Sequence, residues 1–169
     1  MSSDRAPSTG TGTAVESVLA KRSLSSLYQP VVSLESRRVV GFEALARGPG
    51  AGRWAEPRTL IRQAATIGRL PEFDWMCRAQ AYRGALQAAL AAESALFINV
   101  EPASLRAGRP AEFDAVIDEG ARRFRTIAEV AEHELVDDPA RLLAAVDALR
   151  RDGALIALDN VGAGRASRA

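Results

Sequence analysis

Four apolar runs, each holding or ending in an acid or an amide, are separated by stretches of helical periodicity, and this alternation limits the fold more than any other feature. The runs are Val39-Val40-Gly41-Phe42-Glu43-Ala44-Leu45-Ala46-Arg47, Leu96-Phe97-Ile98-Asn99-Val100, Thr126-Ile127-Ala128-Glu129-Val130-Ala131 and Ala154-Leu155-Ile156-Ala157-Leu158-Asp159. Between them apolar residues recur at three-to-four spacing. One such pattern runs through Leu60, Ile61, Ala64, Ala65 and Ile67 to a stop near Gly68, and a longer one predicts a helix from about Glu72 to Glu93. A weaker helix is expected from about Ala111 to Phe124. Another starts at Asp137-Asp138-Pro139 and carries Leu142, Leu143, Val146 and Leu149 to Gly153. Strands alternating with helices in this way build an α/β fold with a parallel sheet or barrel under helical cover.

The chain ahead of these runs reads differently. Residues 1–14 are rich in Ser, Thr, Gly and Pro and are expected to be a mobile tail. A short helix follows over Val15 to Leu24, then a strand over Leu27 to Leu34 in which Pro30 denies one ladder donor and points to a sheet edge or a bulge. Only the polar link Glu35-Ser36-Arg37-Arg38 separates it from the next strand, which predicts an antiparallel hairpin.

In an extended chain alternate side chains share a face, so Gly41, Glu43, Leu45 and Arg47 point one way while Val40, Phe42, Ala44 and Ala46 point the other. A carboxylate within such a run is costly to desolvate unless it is paired or meets a cation. Glu129 is placed as Glu43 is, Asn99 sits at the end of its strand, and Asp159 closes the last one. In folds of this class ligands bind beyond the carboxyl ends of the strands. Three carboxylates and an amide gathered there repel one another unless a cation sits among them. All are oxygen donors, which suits Mg²⁺, Mn²⁺ or Ca²⁺ better than zinc. Arg47, about 13 Å along the strand from Glu43, is placed to hold a phosphate oxygen, and together these groups suggest phosphoester chemistry. The competing reading is structural, with Arg47 neutralising the acids.

Charge and cysteine usage narrow the remaining choices. A net charge of +1 over 169 residues leaves no footprint for polymeric nucleic acid or an anionic membrane. Cys77 is the single cysteine, which excludes an intramolecular disulfide and a cysteine-rich metal site, and it reads as a small core residue of its helix. His133, the single histidine, lies in a charged run and reads as a solvated loop position. With no apolar h-region at its start and no run long enough to span a bilayer, the chain is expected to be soluble and cytoplasmic.

Five segments in order carry a resemblance to a known family: Tyr28-Gln29-Pro30-Val31-Val32, Gly41-Phe42-Glu43-Ala44-Leu45-Ala46-Arg47, Ile98-Asn99-Val100-Glu101-Pro102, Glu129-Val130-Ala131-Glu132, and Ile156-Ala157-Leu158-Asp159-Asn160-Val161-Gly162-Ala163-Gly164. The chain resembles the EAL domain of bacterial cyclic-di-GMP phosphodiesterases over residues 27 to 164. The resemblance implies a TIM-type (β/α)8 barrel whose first strand is antiparallel, of which about five strands are present here. The corresponding division is a tail over 1–14, an EAL-like domain over 15–164 and a tail over 165–169. It further implies Mg²⁺- or Mn²⁺-dependent hydrolysis of cyclic-di-GMP to the linear dinucleotide. Glu43, Asn99, Glu129, Asp159 and Asn160 would then be metal ligands, with Glu43 and Asp159 central to catalysis, Gln29 on a guanine and Arg47 on a phosphate.

Two departures lead to an expectation of weak or absent turnover. Asn160 stands where the family has a second acid, and an amide brings no charge to hold a second cation. Val161 and Ala163 replace Phe and Thr. The family's three further strands do not follow the fifth, which leads to the expectation of open strand edges and of association between copies through them. A degenerate sensor that binds cyclic-di-GMP without cleaving it is the alternative.

Overall fold

The computed structural model describes residues 14–50, 52, 55–92, 94–131 and 138–161. His133, the 162–164 glycine segment and both expected tails, apart from Ala14, lie outside the described residues. Strands β1 (Ser25–Val32), β2 (Val39–Arg47), β3 (Ala95–Asn99), β4 (Arg125–Ala131) and β5 (Leu155–Asp159) form one sheet in chain order. β1 and β2 are antiparallel, and β2 through β5 are parallel. Among the described residues the helices are α1 (Ala14–Lys21), α2 (Pro57–Thr66), α3 (Leu70–Gln87), α4 (Pro102–Leu105), α5 (Asp114–Arg123) and α6 (Pro139–Arg151), with a 3₁₀ turn at Ala111–Phe113. The fold is the α/β arrangement expected of part of a TIM-type barrel with an antiparallel first strand.

Pro30 lies in an edge strand, and the ladder shifts register between Val31 and Val32, so both expected consequences of that proline occur. The 33–38 link closes as a turn in which the Ser33 and Arg37 amides bond across it and Arg37 takes a φ of 56°. At the start of β2, Gly41 faces Ala95. A Cβ at Gly41 would lie 2.5 Å from the Ala95 carbonyl oxygen, so only glycine lets β2 and β3 close at that rung.

Among the described residues, one face of the sheet is packed against helices and the other is open. Ala44, Leu96 and Ile98 turn toward the helices and join Leu60, Phe73, Met76, Ala85 and Ile117 in the main core. Tyr28 threads through this layer to donate its hydroxyl to the Ala81 carbonyl at 2.7 Å. Tyr82 meets Thr126 Oγ1 at 2.7 Å, and its ring fills the space that a side chain at Gly120 would need. The opposite face carries Gln29, Glu43, Asn99, Glu129 and Asp159, as strand parity requires.

Two helices end earlier than periodicity predicts. α3 stops at Gln87 rather than near Glu93, because Ala89 takes the left-handed conformation at φ 50°. The Leu90 amide then bonds back to Ala85 O at 3.2 Å and the Ala89 amide to Leu86 O at 3.1 Å, a Schellman closure without glycine. α1 ends at Lys21 in the same way, with Arg22 at φ 49° and Ser23 bonded to Val18 O.

Candidate functional site

The hydrogen-bond register sets the polar residues on a staircase. Gln29 pairs directly with Glu43, and Glu43 is level with Phe97. Two residues further along β3, Asn99 is level with Glu129. Two residues beyond Glu129, Ala131 is level with Asp159. Each step climbs about 6.6 Å along the strands, the stagger that a tilted barrel sheet imposes. Arg47 is four residues past Glu43, and Asp159 is four residues above the Glu43 rung by the same count. The two therefore stand at one height, on β2 and β5.

These residues line a cavity of about 1100 Å³ at the carboxyl ends of the strands. Glu43, Arg47, Asn99, Glu129, Asp159 and Asn160 all border it, while Gln29 stands beside Glu43 on the same face. Glu129 is the strained member. Its Oε2 is buried and has no hydrogen-bond partner among the described residues. Burial first, then the like charges of Glu43 and Asp159, push its carboxyl from the ordinary 4.5 up to about 7. Asp159 turns both oxygens toward the next residue: Oδ1 accepts the Asn160 amide at 2.7 Å and Oδ2 the Asn160 side-chain NH₂ at 2.5 Å. Asn160 itself takes a φ of 57°, a conformation asparagine tolerates better than most residues. The Arg47 guanidinium folds back to the Ala46 carbonyl at 2.7 Å.

The donor set suits a hard cation. It consists of carboxylates and amides, and the unpartnered Glu129 oxygen is the kind of atom that a cation would satisfy. Among the described residues no three acids, histidines or cysteines are drawn close enough together to form a closed metal cluster. Glu43, Asn99, Glu129 and Asp159 are the residues that could hold such a cation.

The cavity wall also holds residues that strand parity does not reveal. Asp74 and Cys77 of α3, Arg58 and Arg62 of α2, and Glu101 after β3 all border it. Cys77, read from the sequence as a small core residue, is half-buried and packs against the main core, and burial followed by the nearby Asp74 charge raises its thiol pKa. A signal for Asp74 exists in the sequence: Asp74 and Arg78 stand one turn apart inside the apolar run Phe73-Asp74-Trp75-Met76-Cys77-Arg78.

The EAL domain model matches residues 13–169. The chain belongs to the EAL domain family. Sinorhizobium fredii y4lL is 29% identical over 153 residues, which cover 88% of this chain and 18% of that protein. Klebsiella pneumoniae BlrP1 in its calcium and cy-diGMP complex is 28% identical with a TM-score of 0.69, over 84% of this chain and 36% of BlrP1. The manganese and cy-diGMP complex of BlrP1 matches at 27% identity and a TM-score of 0.66, over 95% of this chain and 38% of BlrP1. The FimX EAL domain from Pseudomonas aeruginosa, bound to c-di-GMP, shares the fold at 18% identity and a TM-score of 0.69, over 90% of this chain and 62% of that domain. This EAL chain thus spans about a fifth of y4lL and little more than a third of BlrP1. No described helix is long and apolar enough to cross a membrane.

Proposed function

We propose that this EAL chain binds cyclic-di-GMP together with Mg²⁺ or Mn²⁺ at the strand-end cavity, and that it hydrolyses the ligand weakly or not at all. The observation that carries the reading is the Glu129 carboxyl: its buried oxygen has no partner among the described residues, and its neighbours Glu43 and Asp159 carry the same charge. A cation would relieve both conditions at once. The complexes of BlrP1 with calcium or manganese and cy-diGMP support the choice of ligands.

Glu43, Asn99, Glu129 and Asp159 would hold the ion, with Asn160 as a neutral neighbour. When bound, such an ion supplies Lewis acidity toward a phosphoryl oxygen and toward water. Arg47, level with Asp159, would leave the Ala46 carbonyl and grip a phosphate through two parallel N–H bonds. Gln29 presents an amide beside Glu43 that suits a purine edge. Asn160 limits turnover, because it adds no negative charge for a second cation.

The test is calorimetric titration of cyclic-di-GMP with Mn²⁺ present, alongside a hydrolysis assay on the wild type, Asn160→Asp and Glu43→Ala. Binding that Glu43→Ala and Arg47→Ala each weaken tenfold or more is expected, with turnover highest in Asn160→Asp. Absence of binding heat in the wild type refutes the reading. Association between copies is a second reading, supported by Leu27 and Leu155, which lie on the open sheet face at 56% and 54% exposure. Light scattering that shows only monomer at high concentration removes it.

A further inference from the structure

From the helix-side wall of the cavity, where Asp74 borders it, a polar network extends that the proposed metal site does not use. Asp74 and Arg78 of α3 are buried, and Ser104 of α4 is fully buried against them. Arg78 Nη2 donates to Asp74 Oδ2 and, at 2.6 Å, to Ser104 Oγ. The Ser104 hydroxyl has one proton and two acceptors in reach, Asp74 Oδ2 and the Glu101 carbonyl at 2.7 Å. Arg78 stacks on the Trp75 ring at 4.1 Å, and Trp75 Nε1 donates to the Ser104 carbonyl at 3.3 Å.

Two bonds connect this network to the site. The Glu101 amide donates to Asp74 Oδ1 at 3.1 Å, and the preceding amide, Val100, donates to the Glu129 carbonyl at 2.9 Å. The two peptide groups that follow Asn99 are therefore tied in different directions, one to the neighbouring strand and one to α3. Because peptide units are rigid planes, fixing two in succession leaves the chain little freedom in how it leaves β3. A buried ion pair of this kind adds little net stability over apolar side chains of similar volume. Its effect here is on geometry.

We propose that the Asp74–Arg78–Ser104 network is a positioning device that sets the direction in which Asn99 and Glu101 leave β3, and through them the cation affinity of the strand-end site. The affinity half of this statement rests on the metal reading above; the half concerning the chain after Asn99 does not.

The experiment replaces the whole pair by apolar residues, Asp74→Leu with Arg78→Leu, so that no charge is left buried alone. Urea unfolding, amide hydrogen exchange at Glu101 and Mn²⁺ titration followed by electron paramagnetic resonance are compared with the wild type. Stability is expected to hold or rise, while exchange at Glu101 speeds up about tenfold and Mn²⁺ affinity falls about tenfold, the scale seen for groups that orient metal ligands. Ser104→Ala, a milder change that leaves the ion pair in place, should move the same two readouts in the same direction by less, and it decides the matter if the double variant does not fold. Unchanged protection at Glu101, or Mn²⁺ affinity within twofold of the wild type despite faster exchange, overturns the proposal. If the wild type binds no Mn²⁺, the metal reading falls, and the exchange rate at Glu101 alone decides the positioning claim.

Discussion

Asp74 and Glu129 are carboxylates on the wall of one cavity, and the chain treats them in opposite ways. Asp74 meets a guanidinium, a hydroxyl and a backbone amide, so both of its oxygens are satisfied by the protein itself. Glu129 meets like charges from Glu43 and Asp159, and one of its oxygens is buried with no partner among the described residues. The difference separates structure from site. An acid whose partners are all supplied by the fold fixes local geometry, while an acid left short of positive charge is, on the function proposed above, where a cation would bind.

The comparison breaks most visibly if Arg78 is removed. Arg78→Ala leaves the Asp74 charge buried without its cation and should cost about 3–5 kcal/mol in urea unfolding. Loss of less than about 1 kcal/mol would mean that Asp74 is no better supported than a surface acid.

Glu129 should respond with the opposite sign. Its folded-state pKa, about 7, is above the ordinary 4.5, so the folded chain keeps this proton longer than the unfolded one. Stability of the metal-free protein should therefore fall as pH rises from about 4.5 to about 7, and Glu129→Gln should remove that slope. At pH 8 without metal the variant is expected to be more stable than the wild type, by on the order of 1 kcal/mol after allowance for solvent screening. Thermal unfolding across this pH range checks both. A wild type that gains stability over the same window contradicts the picture of a site short of positive charge.

Smaller effects sharpen the contrast further. Asn99→Ala and Asp159→Ala should each weaken Mn²⁺ binding, Asp159→Ala about tenfold and Asn99→Ala less, because a neutral amide contributes less than a carboxylate to holding a cation. Both variants should unfold within about 0.5 kcal/mol of the wild type in metal-free buffer. Isothermal titration with Mn²⁺ separates the outcomes: unchanged affinity in both would make the strand-end polar residues structural.

How much of this was legible in the chain depends on the range of the interactions. Helix ends marked by glycine could be read directly. Gly68 and Gly153 each close a helix with the pair of backward bonds that a left-handed residue permits. Arg22 and Ala89 perform the same closure without the residue that advertises it, so α1 and α3 stop sooner than periodicity predicts. The short α4 was not anticipated either. It is a single turn after Glu101, with Ser104 bound into a network whose other members lie 26 and 30 residues earlier.

For the site, the sequence by itself determined which face each polar residue occupies, because strand parity is a local property of two-residue period. It also determined the donor chemistry, which is carried by residue type alone. Tertiary structure decided the staircase that sets Glu43 lowest, Asn99 and Glu129 level with each other above it, and Asp159 highest, since register depends on how separate strands slide against one another. It decided as well that, among the described residues, Asp74 finds a cation and Glu129 does not. That distinction follows from which helix packs behind which strand, a matter of contacts between residues far apart in the chain.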